Sequence, residues 1–142
     1  MKDCVFCKIV ANEIPSYTIY EDEVVKAFLD ISQGTPGHVL VIPKKHVSNI
    51  YEYDEDLAAA VFQRIPMIAR AVQASNPAIK GLNIVNNNGE IAYQSVFHSH
   101  FHLVPRYTDH DDFSMHFKDN SDKYSPEELT AIQESISKHI GE

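Results

Sequence analysis

The sequence predicts an α+β domain built on a mainly antiparallel sheet of about five strands, with one long helix and a C-terminal helix. Three observations carry this expectation. Short runs rich in β-branched and aromatic residues recur with turn residues between them; three of these runs precede any long helical pattern; and helical periodicity is confined to one central and one C-terminal segment. A length of 142 residues suits a single domain, 1–142, with a core over about 4–106 and a loop and helix over 107–142.

In chain order, Cys4 to Val10 predicts a turn leading into a short helix that ends by Ile14-Pro15, since a residue before proline is biased away from the helical region. Tyr17 to Glu21 and Val24 to Asp30, separated by the polar Asp22-Glu23, predict a hairpin. His38 to Pro43 predicts a third strand, entered through the turn residues Gly34-Thr35-Pro36-Gly37. From Asp54 to Ser75 the apolar positions Leu57, Val61, Ile65, Ile68, Ala69 and Val72 recur at helical spacing. Pro66 inside that run predicts a kink or break, because it lacks a backbone donor and crowds the preceding turn. Gly81 to Asn86 and Val96 to Arg106 predict strands four and five around the polar loop Asn86 to Glu90. Asp109 to Asp122 is acidic and aperiodic, hence a loop. Ser125-Pro126-Glu127-Glu128 then reads as a capping box opening a helix to about Ile140.

Composition narrows the function. With 44% hydrophobic residues and no apolar run near 18 residues, the chain reads as globular rather than membrane-spanning. A net charge of −8 argues against a nucleic-acid-backbone binder, which needs a basic footprint, but is compatible with a small nucleotide held by local donors. Met1-Lys2-Asp3-Cys4 lacks a basic region followed by an apolar stretch, so no secretory signal is expected and the cytoplasm is the default location. The only cysteines, Cys4 and Cys7, are spaced C-x-x-C, in a reducing compartment the pattern of a metal half-site or a redox pair.

The most informative stretch is His98-Ser99-His100-Phe101-His102-Leu103-Val104. On a strand its three histidines project from one face, with Ser99, Phe101 and Leu103 on the other. The outer two rings would be anchored on the order of 13 Å apart, which favours a row of imidazoles along an extended ligand over a single metal ion. A rival reading has His98 and His100, at i and i+2, share a catalytic zinc.

With Leu103-Val104-Pro105-Arg106, and with Asp30-Ile31, the run Thr35 to His46, Asn87-Asn88-Gly89 and Gln94-Ser95-Val96 in the same order, this stretch resembles the histidine triad (HIT) superfamily of nucleotide hydrolases and transferases, and within it the HINT-like bacterial branch with a C-x-x-C zinc site. The resemblance implies a HIT-like fold and a catalytic set of His98, His100, His102 and Ser95. His100 attacks the α-phosphate to give a covalent nucleotidyl-histidine, its other ring nitrogen donating to the backbone carbonyl of His98. His102 and Ser95 hold the phosphate oxygens or assist the leaving group, and Gln94 and Asn87 line that side. Asp30 accepts the ribose hydroxyls, and Phe6, Ile9, Phe28 and Ile31 enclose the base.

The resemblance further implies a structural zinc on Cys4, Cys7, His46 and His98 and no organic cofactor; the alternative is that the cysteines are reduced core thiols and His46 orients the triad. It implies a homodimer paired through a helix and a continuing sheet, for which the apolar face of Leu57 to Val72 is a candidate surface. The implied activity is hydrolysis of purine nucleoside phosphoramidates and acyl-nucleotides, such as adenosine phosphoramidate, to the nucleoside monophosphate. The alternatives are a dinucleoside polyphosphate hydrolase and a nucleotide-binding interaction module with little turnover. Related galactose-phosphate uridylyltransferases carry glutamine at the third triad position; His102, an imidazole that titrates near neutrality, favours hydrolysis by serving as a proton donor. Three residues depart from the family pattern: Gln33 in place of proline, expected to loosen the turn after Asp30; Ser99 in place of an apolar residue; and Tyr93 in place of glycine, expected to narrow the leaving-group side.

Overall fold

The computed structural model describes residues 3–142; the sequence reading that rests on Met1 and Lys2 lies outside them. Strands β1 (Thr18–Glu21), β2 (Val25–Leu29), β3 (Val39–Pro43), β4 (Gly81–Val85) and β5 (Phe101–Arg106) form one sheet of order β1-β2-β3-β5-β4 in which every neighbouring pair is antiparallel. Helix α1 (Val5–Val10) covers one face; α2 (Glu55–Phe62) and α3 (Ile65–Ala74) cover the other. Helix α4 (Pro126–Ser137) follows the long C-terminal loop. The α+β expectation therefore holds.

Strand alternation sorts the central residues into two cores. Val25, Ala27, Val39, Val41, Phe101 and Leu103 pack against Val61, Ile65, Ile68 and Val72 of α2 and α3. Phe28, Leu40 and Ile42 pack against Phe6 and Ile9 of α1. Lys26 points to the α1 side and is buried, its ammonium donating to the Ile9 carbonyl (3.0 Å) and to Asn12 Oδ1 (3.1 Å). A central-strand lysine thus fastens the end of α1, the helix that contains Cys7 and is capped by Cys4.

Several boundaries differ from expectation for identifiable reasons. The expected single long helix is two helices, broken at Gln63-Arg64, because Pro66 has no N–H for the Phe62 carbonyl and its ring crowds that turn. Arg64 uses the break to reach back to the β1-β2 turn, its Nε lying 2.5 Å from Asp22 Oδ2. Helix α1 stops at Val10, well before Ile14, with Asn12 in the left-handed region at φ 61°. Strand β5 begins only at Phe101, so His98 and His100 precede it and only His102 of the triad lies on a strand. Upstream the backbone bonds elsewhere: Ser99 N donates to the Val47 carbonyl (2.7 Å), and the His98 carbonyl is taken by a side chain. The capping box of α4 is formed in full by Ser125 and Glu128, but the helix ends at Ser137 rather than Ile140.

The apolar face of Leu57 to Val72, expected to pair subunits, is consumed by the chain's own sheet. None of the residues of α4 is buried. Among the described residues no helix is long and apolar enough to cross a membrane.

Candidate active site and metal centre

The α1 side of the sheet holds a cavity of about 430 Å³. Its apolar end is built by Val5, Phe6 and Ile9 of α1 with Ile14, Phe28 and Leu40; its polar end by Asp30, Asn87, Ser95, His100 and His102. This mix of apolar walls and a few convergent polar groups is the usual build of a small-molecule site. Ile31 and Tyr93 also line it and are 87% and 86% exposed, which places both at its mouth.

The hydrogen bonds fix the state of each ring. His100 Nδ1 lies 2.8 Å from the His98 carbonyl oxygen, which only accepts, so Nδ1 carries the proton and Nε2 keeps its lone pair. Phe6 meets the His100 ring edge-on at 5.1 Å, and Asn86 Nδ2 donates to the His100 carbonyl at 2.9 Å. Burial pushes the His100 pKa below the ordinary histidine value, only partly offset by the bond to His98 and by Asp30. Its neutral, nucleophilic form therefore prevails at neutral pH.

A second chain of bonds runs from a backbone amide through two histidines. Gly34 N donates to His38 Nδ1 (3.1 Å), so the proton of His38 sits on Nε2 and is donated to His102 Nδ1 at 2.9 Å. His102 must then carry its own proton on Nε2. Burial, followed by His100 and His38, lowers the His102 pKa to about 4. The expectation of a ring titrating near neutrality is thus corrected for the free protein: His102 is a neutral hydrogen-bond donor, not a cation.

Burial raises the Asp30 carboxyl, but the Ser32 hydroxyl (2.6 Å) and amide (2.9 Å), then the imidazoles of His38 and His102, outweigh it and hold the group below its usual range. Asp30 Oδ2 stands 3.7 Å from His38 Nε2. Gln33 does not loosen this turn. Its amide donates to the Asp30 (2.6 Å) and His38 (2.8 Å) carbonyls and accepts from Gly37 N (2.8 Å), stapling the loop between Asp30 and β3.

On the far side of His98 lies a separate cluster. His98 Nε2 donates to the Pro43 carbonyl (2.7 Å), which leaves the Nδ1 lone pair aimed at Cys4 Sγ (3.4 Å), Cys7 Sγ (3.5 Å) and His46 Nδ1 (3.2 Å). Cys7 Sγ is also 3.3 Å from His46 Nδ1. Burial and the adjacent Cys4 sulfur push the Cys7 thiol up, the cost of crowding sulfurs that a cation reverses. Cys4, Cys7, His46 and His98 are arranged to hold a metal ion. His98 and His100 aim their lone pairs at different sites, so the shared catalytic zinc of the rival reading has no support in this geometry.

Comparisons with known proteins give the family. The HIT domain family model matches residues 11–109. The chain belongs to the HIT family. The protein called Protein hit of Bacillus subtilis (strain 168) is 52% identical over 139 residues, covering 98% of this chain and 95% of its own. A crystal structure of a HIT family member from Bacillus subtilis superposes with a TM-score of 0.95 at 51% identity over 99% of both chains. Adenosine 5'-monophosphoramidase hnt1 of Schizosaccharomyces pombe is 36% identical over 137 residues, covering 96% of this chain and 98% of its own. A Zn-bound histidine triad family protein from Mycobacterium smegmatis has a TM-score of 0.73 at 35% identity, covering 96% of this chain and 97% of its own.

Within this HIT domain most residues singled out in the sequence line one cavity: Phe6, Ile9, Phe28, Asp30, Ile31, Asn87, Ser95, His100 and His102. Gln94 does not. It is buried, and its amide donates to the Ser48 (2.6 Å) and Val96 (3.1 Å) carbonyls and accepts from Gly89 N (2.8 Å), pinning the loop that carries Ser95. His98 does not line the cavity either; its carbonyl holds His100 Nδ1. Sequence reasoning missed His38 as a site residue. Its signal was present, since His38 shares a face with Leu40 by alternation and Leu40 pairs with His102 across β3 and β5.

Proposed function

We propose that this HIT domain is a nucleotide hydrolase that cleaves purine nucleoside phosphoramidates and acyl-nucleotides through His100. The observation that carries this reading is the free Nε2 of a neutral His100 inside a nucleotide-sized cavity, its opposite nitrogen locked onto the His98 carbonyl. The base lies among Phe6, Ile9, Phe28 and Ile31, and Asp30 accepts the ribose hydroxyls. His100 Nε2 bonds to the α-phosphorus as the P–N bond breaks; the electron pair goes to the amine, which takes a proton and leaves. Water then attacks the same phosphorus, the P–Nε2 bond breaks, and nucleoside monophosphate is released with the water proton lost to the site. Ser95 and the Nε2–H of His102 donate to the phosphate oxygens as their charge grows. The phosphoramidase named among the relatives supports the P–N preference. A panel of adenylated and guanylated substrates tests it: P–N cleavage should outpace P–O–P cleavage, and faster cleavage of dinucleoside polyphosphates would replace this reading with the alternative one.

The Cys4, Cys7, His46 and His98 site fits zinc. Tetrahedral zinc with Zn–S near 2.3 Å and Zn–N near 2.05 Å has N–N and N–S edges of about 3.3–3.6 Å, close to the 3.2–3.5 Å separations of those pairs here. Four protein ligands close the shell, so the ion's part is structural, holding α1 and its cavity walls against the sheet. Free thiols of this kind fit a reducing compartment, consistent with the cytoplasm.

Because burial lowers the pKa of His100 and takes that of His102 to about 4, the acid limb of kcat/KM should lie below the ordinary histidine range rather than within it. The same shift acts on stability: the folded state resists protonation, so His102 contributes fully above about pH 6.5 and its contribution is lost as pH falls towards 4. A bound phosphate anion raises the ring's pKa, which lets His102 protonate the leaving amine within the complex. His102→Gln should therefore slow turnover by about 10–100-fold, and wild-type protein given excess sugar phosphate should still release free monophosphate. Mainly transfer product would contradict this.

We also propose a homodimer formed along β4, an edge strand with Ile84 exposed. Light scattering at micromolar concentration should give twice the chain mass, and a monomer would refute it.

A further inference from the structure

We propose that Tyr93 is a specificity residue that stacks against the leaving group and selects amines bearing a planar aromatic group; this rests on the phosphoramidate reading above. Tyr93 closes the 3-10 turn Glu90–Ala92 in the left-handed region, at φ 71° and ψ 18°. A bulky side chain is uncommon there, and a strained residue persists only where the surroundings enforce it. The surroundings do enforce it: Tyr93 N donates to the Glu90 carbonyl (3.0 Å), Gln94 N to the Gly89 carbonyl (3.0 Å), and Gly89 N to the buried Gln94 amide (2.8 Å).

The strain is not repaid by packing, because the ring is 86% exposed. Glycine or asparagine would hold the same backbone at less cost. What the tyrosine adds is an aromatic face on the cavity wall. Its place along the ligand follows from the elements around it. The base walls come from α1, β2 and β3, whereas Tyr93 belongs with Asn87 and Ser95 to the β4–β5 connection, the segment that also carries His100 and its attacking nitrogen. A nucleotide with its base against Phe6 and its phosphorus at His100 directs its leaving group towards that loop. An exposed ring on a fixed backbone is suited to offset or edge-on contact with a flat apolar group. Charge sets the second preference: Glu90 lies in the same turn and the chain carries −8, which favours a departing ammonium over an anionic polyphosphate.

The test compares kcat/KM for an arylalkyl-amine phosphoramidate of adenosine, unsubstituted adenosine phosphoramidate and a dinucleoside polyphosphate, in wild type, Tyr93→Gly, Tyr93→Asn and Tyr93→Phe. The preference for the arylalkyl over the unsubstituted substrate should fall by about fivefold to tenfold in the glycine and asparagine variants, mainly through KM, and survive in Tyr93→Phe. Melting temperatures of the glycine and asparagine variants should equal or exceed that of wild type, since the backbone is relieved. An unchanged preference, or equal loss on both amidates, overturns the proposal, as does a larger loss on the dinucleoside polyphosphate. Absence of turnover with every substrate in wild type overturns the hydrolase reading, and this one with it; turnover with an unaltered preference overturns this one alone.

Discussion

His100→Ala is expected to lower turnover of a nucleoside phosphoramidate by about a thousandfold or more while leaving nucleotide affinity within about threefold of wild type. The asymmetry follows from the geometry. Among the described residues the ring supplies the only imidazole lone pair that the network leaves to the cavity, since His38, His98 and His102 each have their acceptor nitrogen committed elsewhere. Binding rests on other groups: the apolar walls around Phe6, Ile9 and Phe28, and the Asp30 carboxylate. Rate measurements with calorimetric titration of a nucleoside monophosphate check both halves. Near-normal turnover in the variant would remove His100 from the chemistry.

Cys4→Ser combined with Cys7→Ser is expected to abolish metal binding and to lower the melting temperature by on the order of 10 °C. Helix α1 spans only six residues, too few to be stable alone, and is held by the Cys4, Cys7, His46 and His98 cluster at its start and by Lys26 at its end. Losing the first attachment frees Phe6 and Ile9, so KM should rise more than kcat falls. Elemental analysis should find one zinc per wild-type chain and none in the double variant. Wild-type protein purified without chelator and free of zinc would show that these four residues hold no such ion.

The sheet was legible because its strands announce themselves: β2 and β3 are short β-branched and aromatic runs bounded by turn residues, and buried on both faces. The helix break was legible as a break, but its position two residues before Pro66 depends on which carbonyl the ring crowds. The triad misled in a specific way. Strict alternation reads as one strand face, yet the backbone from Val96 to His100 leaves the ladder, so His98 turns to the cysteines while His100 and His102 stay side by side on the cavity, their rings 5.0 Å apart and His102 bonded to His38. Alternation could not reveal this, because it depends on backbone partners contributed by Val47 and Pro43, about fifty residues upstream. Gln33 and Gln94 share that lesson. Each looked like a turn or ligand residue by position, and each proves to use its amide on three backbone groups brought together only by folding.

The most direct test of a histidine-mediated reaction is to trap the intermediate. Wild-type protein mixed with an adenosine phosphoramidate labelled at the α-phosphorus, quenched within a single turnover and digested under alkaline conditions, should yield a peptide carrying the nucleotidyl group on His100, with an amount that rises and decays as free monophosphate appears. Label on another residue, or its complete absence while monophosphate accumulates at full rate, would contradict covalent catalysis by His100.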